Sequence, residues 1–354
     1  MTAPLLCAFG VVAGFLLIAR IRKCPPALAA AAPSLSVVIP ARNEERNLPQ
    51  LLRSIASSNL QPAEVLVVDD GSTDDTADVA STHGATVLPS APLPPGWNGK
   101  TWACAQGAHH AIGELLLFLD ADTWFLPGGL DRLIARWERA QDPNLILSLL
   151  PWHSITAIYE QLSLFFNLLM ASAGFALSAR PRLFGQSLLL TRQMYAATGG
   201  HEAVRGAVLE NLVLADHFRR AGARLVCLSG AGTLHMRMFP EGPYQMHESW
   251  AKGFAQGAAN SEGLVVACSI VWISSLWSTV VLLLVPLDCN RMGLLLVYLL
   301  LGTQLAWLSR RVGNFNPLTS LLYPVPLVYF CAVFAVSVVR RSLGFTSTWR
   351  GREV

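Results

Sequence analysis

Two clusters of polar residues stand out because their types and spacing could do chemistry. In Asp120-Ala121-Asp122, two carboxylates one residue apart follow the apolar run ELLLFL at 114–119. Such hard oxygen donors suit Mg2+ or Mn2+, with phosphate oxygens completing the coordination. A solvated turn before Pro127-Gly128-Gly129 is the plainer reading of the same residues. Asp69-Asp70-Gly71-Ser72-Thr73-Asp74 closes the apolar run EVLVVDD at 64–70. A carboxylate there could accept from a nucleobase imide or a ribose hydroxyl. The same residue types also build turns and cap helices. Histidines add little: His109 and His110 are adjacent, so on a helix they point about 100° apart and cannot chelate one ion. His235 is either a third metal ligand or a packed side chain.

The elements that must position these clusters are legible as alternating strands and helices. SLSVVIP (34–40), EVLVVDD (64–70), ATVLPS (85–90) and ELLLFL (114–119) read as strands separated by helical patterns. Such alternation predicts an α/β fold with a mostly parallel sheet and ligands at the strands' C-terminal ends. Both acidic clusters fall at such an end.

Taken together in one order, VVIPARNEE (37–45), VVDDGSTDDT (67–76), NGKTWACAQGA (98–108) and LLFLDADT (116–123) resemble the family-2 inverting glycosyltransferases, whose catalytic domain has the GT-A fold. The resemblance runs from about 34 to 258. GQSLLLTRQMYAATGGHEAVRGAVLENLVLADHFRRAG (185–222) and WRGR (349–352) are similar to the membrane-anchored subgroup that glycosylates lipids, including carotenoid-acid and hopene-associated enzymes. By this resemblance, Pro40, Arg42 and Glu44 lie at the nucleotide edge, and Asp69 or Asp70 accepts from the base. Lys100 faces the diphosphate, Asp120 touches the donor ribose or a divalent cation, and Asp122 binds that cation. Gly185, Gln186, Trp250 and Lys252 line the acceptor side. The family usually has Glu-Asp where this chain has Glu210-Asn211, and an amide cannot serve as the base. Glu210 then takes that role, or the acceptor arrives already anionic. A catalytically weak or inactive membrane scaffold is the alternative.

Composition sets the wider frame. The chain has 354 residues, 53% of them hydrophobic and only 14% charged, with a net charge of +3. Disorder needs fewer apolar residues and more charge, and a nucleic-acid partner would call for a stronger basic surplus. Seven scattered cysteines without a CxxC pair read as reduced thiols. Apolar runs at 3–19, 264–287, 292–308 and 318–339 predict membrane helices. The expected plan is an anchor at 1–23, a linker at 24–33 and a GT-A domain at 34–262. A transmembrane bundle at 263–340 and a basic tail at 341–354 complete it. Arg20, Arg22 and Lys23 favour a multi-pass plasma-membrane protein with a cytoplasmic catalytic domain. The basic clusters Arg310-Arg311 and Arg340-Arg341 cannot both be inside after three full spans, so one run, first of all the short 292–308, is expected to be re-entrant or interfacial, for three or four spans in total. Pro324 and Pro326 predict a kink in the last run. The run 155–178 is expected to be an in-plane amphipathic or acceptor-facing element lying on the membrane, with a buried core helix as the alternative.

Overall fold

β-branched and leucine-rich segments that are apolar on both faces can only be strands of a covered sheet. The first ten of the twelve strands among the described residues are, in chain order, β1 (Leu35–Ala41), β2 (Glu64–Asp69), β3 (Thr86–Pro89), β4 (Leu115–Leu119), β5 (Thr123–Phe125), β6 (Leu145–Leu150), β7 (Trp152–His153), β8 (Ser187–Thr191), β9 (Arg224–Ser229) and β10 (Leu234–Met236). This computed structural model describes residues 2–26, 33–177, 182–207, 210–259, 261–285, 291–343, 348–349 and 352–353. Two compact units emerge. One comprises Arg22–Trp152, Pro181–Arg237 and Thr348–Val354; the other comprises Met1–Ile21, His153–Arg180 and Met238–Ser347. The stretches 153–180 and 238–262, read from sequence as part of the sheet domain, thus group with the apolar helices.

The first unit holds a seven-stranded sheet in the order β3-β2-β1-β4-β8-β6-β9. Its pairs are parallel except at β8, which runs antiparallel to both β4 and β6. Alternation along each strand divides the core: Val37, Ile39, Leu115, Leu117 and Leu119 face one layer, Val38, Leu116 and Phe118 the other. The helix Gly99–His110 lies close on the second face. A Cβ at Gly107 would stand 2.3 Å from Val38 Cγ1, so only glycine allows that approach. From β1 the chain winds outward to β2 and β3, while β4 lies on the other side. This reversal opens a crevice at the carboxyl ends of β1 and β4.

The second unit is helical. Gly263–Leu284, Arg291–Ser309 and Pro324–Ser342 have 22, 19 and 19 residues and mean hydropathies of 2.0, 1.7 and 1.5. At 1.5 Å per residue each reaches roughly 28–33 Å, enough for a hydrocarbon core of about 30 Å. The middle helix is therefore long enough to cross, and length gives no reason to make it re-entrant. Pro324 and Pro326 occupy the first turn of Pro324–Ser342, where no intrahelical N–H is lost, so they give no cause for the expected kink. Thr2–Leu17 has 16 residues, roughly 24 Å, and packs on Gly263–Leu284 through small residues. A Cβ at Gly10 would meet Ser275, and one at Gly14 would meet Trp272 and Gln304. Gln304 joins three helices, donating to Val11 O at 2.6 Å and accepting from Trp272 Nε1 at 3.1 Å. The run 155–178 is not an exposed in-plane element. It forms a 3-10 turn, Ile158–Ser163, and the helix Leu164–Phe175, which is too short to span and buried on nearly every side. Phe165 and Phe166 pack there on Trp272, Phe330 and Trp250. Arg340 makes a bidentate ion pair to Glu248 at 3.0 and 3.1 Å, tying Pro324–Ser342 to the helix Pro243–Ala259.

Candidate functional site

Strand register decides which side chains meet. Ala41 of β1 pairs in parallel with Asp69 of β2, so the residues that follow, Arg42 and Asp70, emerge side by side. The Arg42 guanidinium donates to Asp70 O, and its Nη1 lies 3.9 Å from Asp70 Oδ2. Asn43 takes a left-handed φ of 55°, which lets its Oδ1 accept from Thr73 N at 2.8 Å. Glu44 N donates to Thr76 Oγ1 at 2.8 Å, and Glu44 Oε2 accepts from Asn47 Nδ2 at 2.7 Å. The two loops are thereby stitched into one wall. On the other side, β8 pairs Ser187 with Leu119 of β4, bringing Gln186 alongside Asp120. Asp120 N donates to Gln186 O at 3.2 Å, and Thr123 Oγ1 donates to Asp120 O at 2.7 Å.

Pro40, Arg42, Glu44, Asp70, Lys100, Asp120 and Asp122 line one cleft, with roughly 620 Å³ of empty space that includes open solvent. Lys100 is its electrostatic centre. Its Nζ lies 2.6 Å from Asp120 Oδ1 and donates to Gly185 O at 3.4 Å. Burial alone would lower the Lys100 pKa, but the Asp120 and Glu210 carboxylates outweigh it and hold the ammonium above its ordinary range. Burial raises the Glu210 carboxyl; Lys100 opposes that shift without cancelling it. Asn211 Nδ2 donates to Glu210 Oε1 at 2.8 Å, and a Cβ on Gly185 would fall 2.1 Å from the same Nδ2. Gly185, Asn211, Glu210 and Lys100 thus adjoin at the edge of the cleft.

Asp122 tests whether a divalent cation fits. Its Oδ1 is buried without a hydrogen-bond partner. Burial, reinforced by the charges of Asp120 and Glu44, pushes its carboxyl up to about 7. A hard cation would answer both the unused oxygen and the crowded negative charge. Among the described residues no three His, Cys, Asp or Glu side chains form a ready metal cage. The donor set therefore suits a cation that takes few protein carboxylates and completes its shell with phosphate and water.

Several sequence expectations need correction. Asp69 is spent on its own turn, where its Oδ1 accepts from Ser72 N at 3.0 Å and from the Ser72 hydroxyl, so Asp70 alone of the pair lines the cleft. His235 is packed between Trp152 and Trp124, with ring centroids 4.7 and 6.0 Å away, and burial lowers it to about 4. Trp250 lies in the helical unit, stacked on Phe166 at 4.7 Å and 7% exposed. The Lys252 side chain lies outside the described residues. Gln186 contributes its backbone carbonyl, and its Oε1 is buried without a partner. Sequence reasoning missed Gly99 and Ala103, which line the cleft beside Lys100. Their signal was the small-residue stripe Gly99, Ala103, Gly107 at helical spacing.

The family model for Glycosyl transferase family 2 matches residues 36–185, which span β1, β2 and β4 and the acidic loops after them. A 4,4'-diaponeurosporenoate glycosyltransferase of Staphylococcus aureus (strain MRSA252) is 31% identical over 330 residues, covering 90% of this chain and 88% of the relative. Its counterpart in strain bovine RF122 / ET3-1 is equally similar, at 31% over the same length. Among solved structures, a mannosyltransferase from Pyrobaculum calidifontis in complex with GDP-Man and Mn2+ superposes with a TM-score of 0.57. It is 17% identical, with 96% of this chain and 97% of that one covered. That likeness establishes a shared fold, and the sequence likeness over most of both chains establishes descent. The chain is a glycosyltransferase and belongs to glycosyl transferase family 2.

Proposed function

We propose that this protein moves a sugar from a nucleotide-diphosphate sugar to a lipid acceptor, with inversion, as a multi-pass plasma-membrane enzyme whose catalytic domain is cytoplasmic. The observation that carries the reading is Lys100, set between the Asp120 carboxylate and the Glu210 carboxyl. Asp70 and Arg42 form the nucleotide wall, and Lys100 offsets diphosphate charge as a compact cation. Asp122 and Asp120 would hold Mg2+ or Mn2+, which when bound neutralises charge on the departing diphosphate.

The displacement is a single step. The acceptor oxygen bonds to the anomeric carbon, the bond from that carbon to the phosphate oxygen breaks, and the nucleoside diphosphate leaves with the electron pair. Attack opposite the leaving group inverts the anomeric centre. Glu210 takes the proton of a hydroxyl acceptor. Its burial raises its basicity, and the Asn211 amide orients it through Oε1. The acceptor class follows from the relatives named for a carotenoid acid and from the apolar helices of this chain. A carboxylate acceptor would bring its own charge and need no base.

The test is transfer by the full-length protein in detergent, with UDP-glucose and GDP-mannose as donors and carotenoid-acid and polyprenol acceptors. Glu210→Gln should slow transfer to a hydroxyl by roughly 10²–10⁴-fold with little change in donor affinity. Transfer at the parent rate would place the base elsewhere. A parent protein silent towards every pair would favour the inactive-scaffold reading that Asn211 suggests.

A further inference from the structure

We propose that Asn98 is a positioning residue that clasps the donor-side helix to the turn at Arg205–Ala207, which precedes the helix Glu210–Arg220 that begins with the acceptor-side base. The inference rests on the function proposed above. Asn98 has extended backbone (φ −98°, ψ 154°) and caps the helix Gly99–His110, its Oδ1 accepting from Thr101 N at 2.8 Å. Thr101 Oγ1 lies 2.9 Å from the same oxygen. With Oδ1 committed to the cap, the amide orientation is fixed and Nδ2 points away from the helix. There it donates to Ala207 O at 3.3 Å. The Asn98 backbone N donates to Arg205 O at 3.3 Å, and Thr101 Oγ1 lies 3.4 Å from that carbonyl. The two loops also touch through backbone, since a Cβ on Gly206 would stand 3.3 Å from Gly96 O.

Both ends of this clasp lead into the site. Lys100 lies two residues beyond Asn98, and Glu210 three beyond Ala207. Residue chemistry separates the clasp from ordinary capping. Asp, Ser and Asn all cap helices well through a side-chain oxygen. Only Asn offers that oxygen together with a donor on the same rigid plane. With Asn98→Asp, the second carboxylate oxygen would face the Ala207 carbonyl and repel it. With Asn98→Ser, no side-chain atom would reach that carbonyl.

The experiment compares the full-length protein with Asn98→Asp and Asn98→Ser, both of which keep the cap. Hydrogen exchange is read at the Ala207 amide, which donates to Val204 O at 2.9 Å. It is also read at amides of Gly99–His110 as the internal control. In both variants Ala207 should exchange roughly 5-fold faster or more, as expected for losing about one hydrogen bond, with the helix amides unchanged. Affinity for UDP or GDP with Mn2+ should hold, while kcat for transfer falls about 10-fold at constant donor KM, since misplacing a reacting group by a fraction of an ångström costs rate. Unchanged Ala207 exchange in both variants would overturn the clasp, as would equal loosening of loop and helix. Because exchange is read without turnover, a parent protein that transfers nothing would count against the proposed function and leave the clasp result standing.

Discussion

Asp122→Asn should make the cation-free protein more stable at neutral pH while abolishing its response to Mn2+. The carboxyl is pushed from 3.8 to about 7, by burial first and then by the Asp120 and Glu44 charges. At 1.36 kcal/mol per pKa unit, this sets about 4 kcal/mol against the charged form as an upper bound, because one face of the group is open to the cleft. A folded-state pKa above the unfolded value means stability is full below about pH 4. It falls as the pH rises towards 7, where the folded carboxyl must ionise. The variant lacks this loss. In EDTA it should therefore exceed the parent by up to about 4 kcal/mol at pH 8 and by no more than about 2 kcal/mol at pH 5. For a unit of this size each kcal/mol is worth about 2–4 °C, so thermal shift resolves the pH 8 gap. Mn2+ should raise the parent's Tm and leave the variant's unchanged, and transfer by the variant should fall roughly 10²-fold or more. Equal Mn2+ stabilisation of both proteins would refute the assignment of Asp122 as a ligand. A parent–variant gap in EDTA that does not change between pH 5 and 8 would refute the electrostatic reasoning.

Lys100→Ala removes the group that opposes the rise of the Glu210 pKa. Under the proposed role of Glu210 as base, the acidic limb of the pH–rate profile reports its deprotonation and should accordingly move to higher pH in this variant; a limb that stays or moves down would contradict the electrostatic link. For topology, a cysteine at exposed Ser57 in the sheet unit should resist impermeant thiol reagents in intact cells and react after permeabilisation. Ready labelling of intact cells would place that unit outside.

The sheet was legible because its cause is local: VVIP, EVLVV and LLLFL are apolar on both faces, and polar turns follow each of them. The cleft was legible for the same reason, since parallel strands deliver their terminal loops to one edge. What the sequence concealed depends on register and on partners far along the chain. Asp69 and Asp70 are chemically alike, and only the turn closed by Ser72 decides which one is consumed. Gly185 and Gln186 reach Asp120 because β8 inserts antiparallel between β4 and β6, a choice that hydrophobic alternation does not encode. Trp250 looks interfacial beside an apolar run, yet the phenylalanines at 166 and 239 enclose it. The helix Leu164–Phe175 has the composition of a membrane segment and the burial of a core, and composition cannot separate the two.

Under the proposed function, Lys100 would link the two halves of the reaction. Its ammonium contacts Asp120 directly and Gly185 through the carbonyl, and Gly185 packs against the Asn211 side chain that holds Glu210. A carboxylate in place of Asn211 would add a second negative charge beside Glu210, and the amide adds none while still donating. The Lys100 ammonium interacts with both the Asp120 and Glu210 carboxyls, and it opposes the rise that burial imposes on Glu210. A diphosphate entering the cleft would draw that cation towards its own charge. Glu210 would lose some of this stabilisation, its pKa would rise, and its hold on an acceptor proton would strengthen. Donor loading and base strength would thus rise together through a single ammonium, with no movement of the backbone required.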